Sequence, residues 1–204
     1  MRYFPLTLVG IILALQPAMI PIASAQTMSS ANGKILLEAE AHGELWYVKP
    51  NTGHRTYFAN PEGVRLLMRK GIGISNANLQ KIPIAILADT IVDKDQDGLS
   101  DSLEAALNIN ESIADTDHDG ISDGIEVQNH SNPRGTGILT LDSRLGKRLS
   151  GYIVLQVEDR GQAWYILPQT NERYYLGTPQ EAFKIFKKLA LGISNHNIQQ
   201  IPIE

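Results

Sequence analysis

The 204-residue sequence contains no cysteine. This absence excludes disulfide bonds, thiol catalysis and metal sites built from thiolates. Small domains with modest cores are often stabilised by disulfides or by bound metal. In a chain without cysteine, bound metal must therefore substitute for some of the disulfides.

The sequence also lacks the motifs of the common enzyme classes. It has no G-x-S-x-G nucleophile elbow, no H-E-x-x-H zinc helix, no Walker loop and no dinucleotide fingerprint. Its five histidines are scattered, and none has a second histidine at helical metal-binding spacing. The net charge of −4 and the absence of a dense basic stretch argue against a nucleic-acid partner. We expect a protein that is not an enzyme.

Long apolar runs are absent except at the N-terminus. Arg2 precedes an apolar run from Phe4 to Ile22, and the small residues Ala23-Ser24-Ala25 follow it. This pattern predicts a signal peptide over residues 1–25, cleaved before Gln26. An uncleaved membrane anchor is the alternative, because the run is close to the length that spans a bilayer. We expect a secreted, periplasmic or cell-surface protein with no membrane span after signal cleavage.

The acidic residues are concentrated in one stretch. Residues 93–126 hold eleven of the 22 acidic side chains and a single basic one, Lys94. Two segments in this stretch, 93–104 and 115–126, share the pattern D-x-D-x-D-G-x-x-D-x-x-E and start 22 residues apart. An unselected acidic run would not repeat glycine and glutamate at matching positions.

The spacing of this pattern fits an all-oxygen metal site. Carboxylates at positions 1, 3 and 5 of a tight loop converge, the glycine at 6 permits the turn, and the carbonyl at 7 faces inward. A glutamate at 12 then closes the shell, and six to eight flexible oxygen ligands suit calcium better than magnesium or zinc. We expect about two calcium ions. The predicted metal residues are Asp93, Asp95, Asp97, Leu99 through its carbonyl, Asp101 and Glu104, and then Asp115, Asp117, Asp119, Ile121 through its carbonyl, Asp123 and Glu126.

The sequence of the loops allows two other interpretations. One is a solvated acidic linker, which is what most charge runs are. The other is a two-helix calcium hand, but position 8 of such a loop is normally aliphatic, and here it is Ser100 or Ser122. The segments before the loops, 88–92 and 110–114, are also too short for an entering helix. We therefore predict loop-then-short-helix units, with helices that begin near Asp101 and Asp123, where aspartate is a suitable cap or acts through water.

The two loops resemble bacterial thrombospondin type 3 calcium repeats. In that family an Asp-rich loop is followed by a short helix, a Thr-Asp-Pro-like turn and the next loop. Here Asn132-Pro133 stands at the turn after the second loop, whereas Asn110-Glu111 replaces the expected Asp-Pro after the first. The resemblance implies calcium binding, and the departure affects the inter-loop turn without affecting the ligands.

An internal repeat flanks the acidic segment. The sequence of residues 33–84 is repeated in residues 151–203. The two copies are 118 positions apart, and 119 positions apart after one inserted residue. Both copies carry W-Y-V/I-x-P, then R-x-Y or R-Y-Y, then G-I-S-N and I-P-I. This run resembles a module of secreted bacterial proteins, often found beside thrombospondin type 3-like repeats, and the resemblance implies no established activity.

The residue pattern of each copy predicts a three-stranded antiparallel meander followed by a helix. Ile35, Leu37 and Ala39 alternate with polar or mixed positions, as in a half-buried strand, and turns follow at His42-Gly43 and Pro50–Gly53. After Pro61 and Pro179 the period becomes helical. The predicted fold is α+β: two small modules, each with its own modest core, joined by the calcium region 89–133 and an ordered linker 134–150.

The aromatic residues of the modules allow two interpretations. Trp46, Trp164 and the neighbouring tyrosines could form a carbohydrate-stacking platform, but in a module of this size aromatics more often fill the core. Glu40 and Arg55 recur as Glu158 and Arg173, which suggests a cross-strand ion pair in each copy.

The sequence thus predicts an exported, non-catalytic calcium-binding protein in which calcium rigidifies the link between the two modules. One alternative is a module that binds a cell-wall polymer or a surface protein, with calcium setting only the spacing. A third hypothesis is an accessory subunit of a surface enzyme. Without residues 1–25 the net charge is −5, of which residues 91–126 carry −10, so the remainder is mildly basic.

Overall fold

The computed structural model describes residues 31–40, 42–87 and 92–204, and the predicted signal peptide lies outside these ranges. The fold is α+β, as predicted. In the first copy the strands are β1 (Ile35–Glu38), β2 (Leu45–Val48), β3 (Arg55–Phe58) and β4 (Ile72–Ile74), and the helices are α1 (Pro61–Arg69) and α2 (Asn76–Leu79).

The rest of the chain contains the acidic segment and the second copy. The acidic segment has the short helices α3 (Asp101–Leu107) and α4 (Asp123–Asn129), and α5 (Ser143–Arg148) follows in the segment predicted as a linker. The second copy consists of β5 (Ile153–Gln156), β6 (Ala163–Ile166), β7 (Arg173–Tyr175), α6 (Pro179–Leu189), β8 (Leu191–Ile193) and α7 (Asn195–Gln199).

The two copies exchange their last strands. The meanders β1-β2-β3 and β5-β6-β7 are antiparallel, as predicted, but each sheet has a fourth strand from the other copy. Strand β8 pairs in parallel with β1, where Leu37 lies opposite Gly192, and β4 pairs in parallel with β5, where Leu155 lies opposite Gly73. Each four-stranded sheet therefore contains strands of both copies.

Two glycines meet where the copies are related by an approximate two-fold axis. A Cβ atom added to either Gly33 or Gly151 would overlap the backbone of the other, and both have positive φ, 77° and 81°. The hydroxyl of Tyr47 donates to the carbonyl of Gly151 at 2.8 Å, and the hydroxyl of Tyr165 donates to the carbonyl of Gly33 at 2.6 Å. Only glycine allows the two chains to approach this closely.

The main core is shared between the copies. Its buried members include Ile35, Tyr47 and Phe58 from the first copy, and Tyr165 and Phe186 from the second. The rings of Phe58 and Phe186 pack edge to face with centroids 5.6 Å apart. The prediction of one modest core per module is therefore wrong, because the faces of the two sheets pack together in one shared core. A sequence repeat does not reveal this packing.

The predicted ion pairs between Glu40 and Arg55 and between Glu158 and Arg173 are also wrong. Glu40 lies beyond the end of β1 and accepts a hydrogen bond from the backbone amide of Asn195 at 2.9 Å. Glu158 accepts in the same way from Asn76, at 2.8 Å. Each carboxylate thus binds the first turn of a short helix from the other copy, and the arginines stack instead on Trp46 and Trp164.

The acidic segment packs on one face of the second copy. There Leu99, Leu103 and Val127 join a cluster of buried residues with Val154 and Trp164. The equivalent face of the first copy forms a smaller cluster with no member from the acidic segment, built from Ala31, Leu36, Val48, Ile198 and Ile201, with Trp46 packed against it. The segment therefore distinguishes two otherwise equivalent faces.

The aromatic side chains are mainly core residues, although the two copies differ. Trp164 and Tyr165 are fully buried and Tyr47 is buried, whereas Trp46 is half-buried and Tyr57 is 49% exposed. Among the described residues, the helices are all too short or too polar to cross a membrane.

Candidate metal centre

The two Asp-rich loops have the same backbone geometry. In the first loop Asp93 accepts hydrogen bonds from the amides of Gln96 and Gly98, at 2.7 and 3.1 Å. In the second loop Asp115 accepts from His118 and Gly120, at 2.8 and 2.9 Å. These bonds fold each loop around its first carboxylate. The shared pattern in the sequence therefore corresponds to one shared loop structure.

The glycine at position 6 adopts the conformation that the pattern predicts. Gly98 and Gly120 have φ values of 97° and 94°, where a side chain would strain the backbone. Position 4 is also left-handed, with φ of 64° at both Gln96 and His118. These turns direct the carboxylates at positions 1, 3 and 5 towards one side of each loop.

A short helix follows each loop, as predicted, but aspartate is not its cap. The helices begin at Asp101 and Asp123, and the N-cap residues are Ser100 and Ser122. The Ser100 hydroxyl accepts from the amide of Leu103 at 3.2 Å. The prediction of an aspartate cap is wrong because the serine one residue earlier has the extended backbone that capping requires.

The aspartates at position 9 instead close the loops. Asp101 accepts from the amide of Lys94 at 3.0 Å. Asp123 is fully buried and accepts from both the amide and the hydroxyl of Thr116, at 3.0 and 2.7 Å. Each of these carboxylates therefore holds the second residue of its own loop against the first turn of the helix.

The structure brings the acidic side chains together in three groups, in each of which one ligand atom per residue lies within 4.8 Å of the others. Two of the groups are the position 1, 3 and 5 aspartates of each loop. The third joins the two repeats. The groups are Asp93, Asp95 and Asp97; Asp115, Asp117 and Asp119; and Asp97, Glu104 and Asp123.

The glutamates at position 12 are buried close to these groups. Glu104 has no exposed surface, and neither of its carboxylate oxygens has a hydrogen-bond partner. Burial, and then the nearby charges of Asp95 and Asp97, raises the pKa of Glu104 to about 8. Glu126 is 2% exposed, its Oε2 atom has no partner, and burial raises its pKa as well. Buried oxygens without donors are an arrangement that a cation would satisfy.

The donor set fits a hard divalent cation. Carboxylate oxygens dominate it, and one buried oxygen of Asp95 also has no hydrogen-bond partner. Calcium accepts six to eight oxygen ligands in flexible geometry, whereas zinc prefers nitrogen and sulfur. Glu126 is not part of a three-residue group, and the carbonyl ligands predicted at Leu99 and Ile121 remain predictions.

The contact between the two repeats was not predicted from the sequence. The amide of Gly124 donates to Asp97 Oδ2 at 2.7 Å, which links the first loop to the first turn of α4. A Cβ atom at Gly124 would overlap the carbonyl oxygen of Asp97. The sequence contained one signal of this contact: the second repeat has glycine at position 124, where the first repeat has Ser102.

Comparison with known proteins supports a metal-binding repeat. The family model described as bacterial TSP3 repeat matches residues 115–133, which cover the second loop, α4 and the turn through Pro133. The match indicates a calcium-binding repeat protein. The search of curated proteins and the search of solved structures gave no match to the chain.

Proposed function

We propose that this chain is an exported, non-catalytic calcium-binding protein, in which calcium fixes the acidic segment onto the second repeated module. The observation that carries the proposal is Glu104, a fully buried carboxylate without a hydrogen-bond partner, close to Asp95, Asp97, Asp101 and Asp123. An ionised cluster of this kind is unfavourable unless a cation or a proton neutralises it, and bound calcium keeps the carboxylates ionised as ligands.

Approximate energies support this role for the ion. Burying a large aliphatic side chain contributes roughly 1.5–3 kcal/mol, and the segment buries Leu99, Leu103 and Val127 in the cluster around Trp164. Each close carboxylate pair opposes this gain with roughly 1–3 kcal/mol of repulsion, and each loop contains several such pairs. Bound calcium would remove the repulsion and add ligand bonds, which favours the docked segment.

The proposal also specifies what is being rigidified. The two copies hold each other directly through their exchanged strands, so calcium is not needed as a joint between separate bodies. It orders the covalent connection between the copies and keeps that connection packed on Trp164.

Isothermal titration calorimetry of the purified protein tests the proposal. We expect about two calcium ions to bind, with dissociation constants of about 0.1–1 mM or tighter, as in extracellular calcium modules. Magnesium at the same concentration is the control and should give much less heat. Absence of heat at millimolar calcium would refute the proposal.

Limited proteolysis tests the structural role. In the presence of a chelator we expect cleavage between Asn108 and Ala114, where the chain connects α3 to the second loop. Calcium should suppress this cleavage. The exposed turn residues Asn51 and Thr52 of the first copy are an internal control, because cleavage there should not depend on calcium. Equal cleavage at residues 108–114 with and without calcium would contradict the role in rigidifying the segment.

Binding to a cell-wall polymer or a surface protein is a second candidate function, favoured by the aromatic pair on the first copy. Trp46 and Tyr57 stack with centroids 5.2 Å apart, and Arg55 lies 4.4 Å from the centre of the Trp46 ring. A pull-down on purified cell wall should lose binding in Tyr57→Ala and retain it in Leu66→Ala, which changes another exposed apolar residue. Equal binding of both variants would exclude this aromatic pair as the contact.

A further inference from the structure

A cavity of about 250 Å³ lies between the acidic segment and the end of the first copy, with Arg173 of the second copy also lining it. One wall includes Ile82 and Ile84 from the first copy together with Arg173. The opposite wall comes from the end of α4 and the turn that follows it, and includes Val127 and His130. The cavity therefore exists only while the acidic segment is docked.

The charged residues that line this cavity are all basic or potentially basic. They are His130, Arg134 and Arg173, and no acidic residue is among the described residues that line it. This is unusual for a chain with a net charge of −4 whose acidic loops lie close by in sequence. The remaining lining is largely aliphatic. The cavity thus combines positive charge with apolar surface.

Arg173 is a buried cation without a carboxylate partner. It is 3% exposed, its Nη1 atom donates to the carbonyl of Leu79, and its Nε atom has no partner. Among the described residues it forms no ion pair, and its guanidinium carbon lies 4.7 Å from the centre of the Trp164 ring. A buried charge in this situation is costly unless something compensates it.

The two copies differ in the charge near this arginine, although the Nε atom has no partner in Arg55 as well as in Arg173. In the first copy the equivalent arginine, Arg55, lies over Trp46, whose indole donates to the carboxylate of Glu38 at 3.2 Å. The Glu38 charge acts on Arg55 and opposes the effect of burial. In the second copy the residue that corresponds to Glu38 is Gln156, which is neutral and accepts from Trp164 at 3.4 Å. The second copy therefore has no carboxylate at the position that Glu38 occupies in the first copy.

We propose that the cavity binds a small ligand that carries a carboxylate on a short aliphatic body. The carboxylate takes the place that Glu38 occupies electrostatically in the first copy and compensates Arg173, and Arg134 at the rim adds a second positive charge. The aliphatic body packs on Ile82, Ile84 and Val127. A free fatty acid and the C-terminal residue of a peptide both present this chemistry.

The ligand site is coupled to the metal loops, and this part of the inference rests on the proposed function. One wall belongs to the segment that calcium orders, so calcium and ligand favour the same docked state. Each should then raise the affinity for the other by the same factor, as thermodynamic linkage requires. The cavity itself does not depend on which cation orders the segment.

Two-dimensional NMR of the isotope-labelled protein tests the ligand, with hexanoate and N-acetylleucine as probes. Hexanamide and N-acetylleucinamide are the matched neutral controls. We expect the two acids to shift the Nε–H resonance of Arg173 and the amide resonances around His130, with affinities about tenfold higher than the amides. Stronger binding of N-acetylleucine would indicate a peptide C-terminus, and stronger binding of hexanoate a free acid. Equal binding of acids and amides would overturn the proposal.

Two variants provide a test within the chain itself. Gln156→Glu restores the carboxylate that the first copy has, so it should compensate Arg173 internally and reduce acid binding about tenfold or more. Glu38→Gln makes the reciprocal change in the first copy and should leave acid binding unchanged. Retained binding in Gln156→Glu, with its fold verified by the same spectra, would overturn the proposal.

Calcium dependence separates this proposal from the proposed function. Titrations in calcium and in a chelator should show tighter acid binding with calcium. If calorimetry shows calcium binding but the acids never bind, the ligand proposal fails while the proposed function stands. If acids bind at Arg173 equally well with and without calcium, the coupling fails while the ligand site stands.

Discussion

Replacing Glu104 with glutamine should have opposite effects on stability in the presence and absence of calcium. The side chain keeps its shape and loses its charge. In the calcium-free protein Glu104 is a buried carboxylate whose two oxygens have no donor, so glutamine removes an unfavourable charge. In the proposed calcium complex the same charge is a ligand, so its removal should weaken the site.

The size of the effect follows from the pKa of Glu104, which is raised from 4.5 to about 8 mainly by burial. A carboxyl group with a raised pKa in the folded protein destabilises that protein above its unfolded pKa, by about 1.4 kcal/mol for each pH unit between the two pKa values. The loop can open towards water, which reduces this penalty. We expect Glu104→Gln to stabilise the calcium-free protein by about 1–3 kcal/mol at pH 8 and by almost nothing at pH 4.

Thermal unfolding followed by circular dichroism measures both effects. In a chelator at pH 8, the melting temperature of Glu104→Gln should exceed that of the parent by about 2–12 °C, given about 2–4 °C per kcal/mol for a chain of this size. In millimolar calcium the order should reverse. Glu111→Gln is the matched control, because it removes an exposed charge from the same segment and should change little in either condition.

Either of two results would refute the reasoning. If Glu104→Gln destabilises the chelated protein, the carboxylate has a partner that the structure does not show. If the variant binds calcium as tightly as the parent, Glu104 is not a ligand. The second result would leave the position 1, 3 and 5 aspartates as the site and would remove the observation on which the proposed function depends.

Three further substitutions test the contacts between repeats and between copies. Gly124→Ala should weaken calcium binding and destabilise the protein by about 1–3 kcal/mol, because the added Cβ overlaps the first loop. The equivalent Ser102→Ala should be nearly neutral in calorimetry and in thermal melting. Gly151→Ala should lower the free energy of unfolding, measured by chemical unfolding, by about 1–3 kcal/mol more than Gly161→Ala does. Both glycines have positive φ, but of the two only Gly151 touches the other copy. Tyr165→Phe should lose about 1 kcal/mol with its cross-copy hydrogen bond, and an unchanged unfolding midpoint would contradict this.

Local sequence patterns were sufficient to predict most of the elements. The alternation of Ile35 and Leu37, the turn glycine at position 43 and the helical period after Pro61 are all short-range signals, and the structure has the corresponding strands, turn and helix. The same holds for the metal loops, where glycine at position 6 and the start of each helix follow from twelve-residue spacing. Such signals depend only on neighbours in sequence.

The strand exchange could not be predicted in this way. Strand β4 has three residues, Ile72–Ile74, of which two are exposed, so it has neither the length nor the alternation of a recognisable strand. Its partner β5 is about 80 residues away, and a repeated sequence is equally compatible with pairing inside one copy or between copies. The incorrect ion pairs at Glu40 and Glu158 have the same origin, because both side chains bind helices of the other copy.

For the metal site, the sequence indicated the acidic residues without revealing how the two repeats meet. Spacing grouped the aspartates loop by loop, but the structure also places Asp97 beside Glu104 and Asp123, which belong to different repeats. The burial of Glu104 is likewise a tertiary effect, since α3 packs against the cluster around Trp164. Burial is the property that makes a cation necessary, and a local pattern cannot supply it.

The internal symmetry makes the differences between the copies informative. A symmetric pair of modules presents two equivalent faces, and the acidic segment can cover only the one that it reaches. That face has the buried Trp164, the neutral Gln156 and a cavity beside Arg173, whereas the equivalent first-copy face keeps Glu38 and a half-buried Trp46. Covering a face removes water from its arginine, so an internal carboxylate there would supply the negative charge that we assign to a ligand. The second copy has Gln156 in place of the carboxylate of Glu38, and the acidic segment docks on that same copy. Both features are therefore best explained by one ligand site that forms when the segment docks.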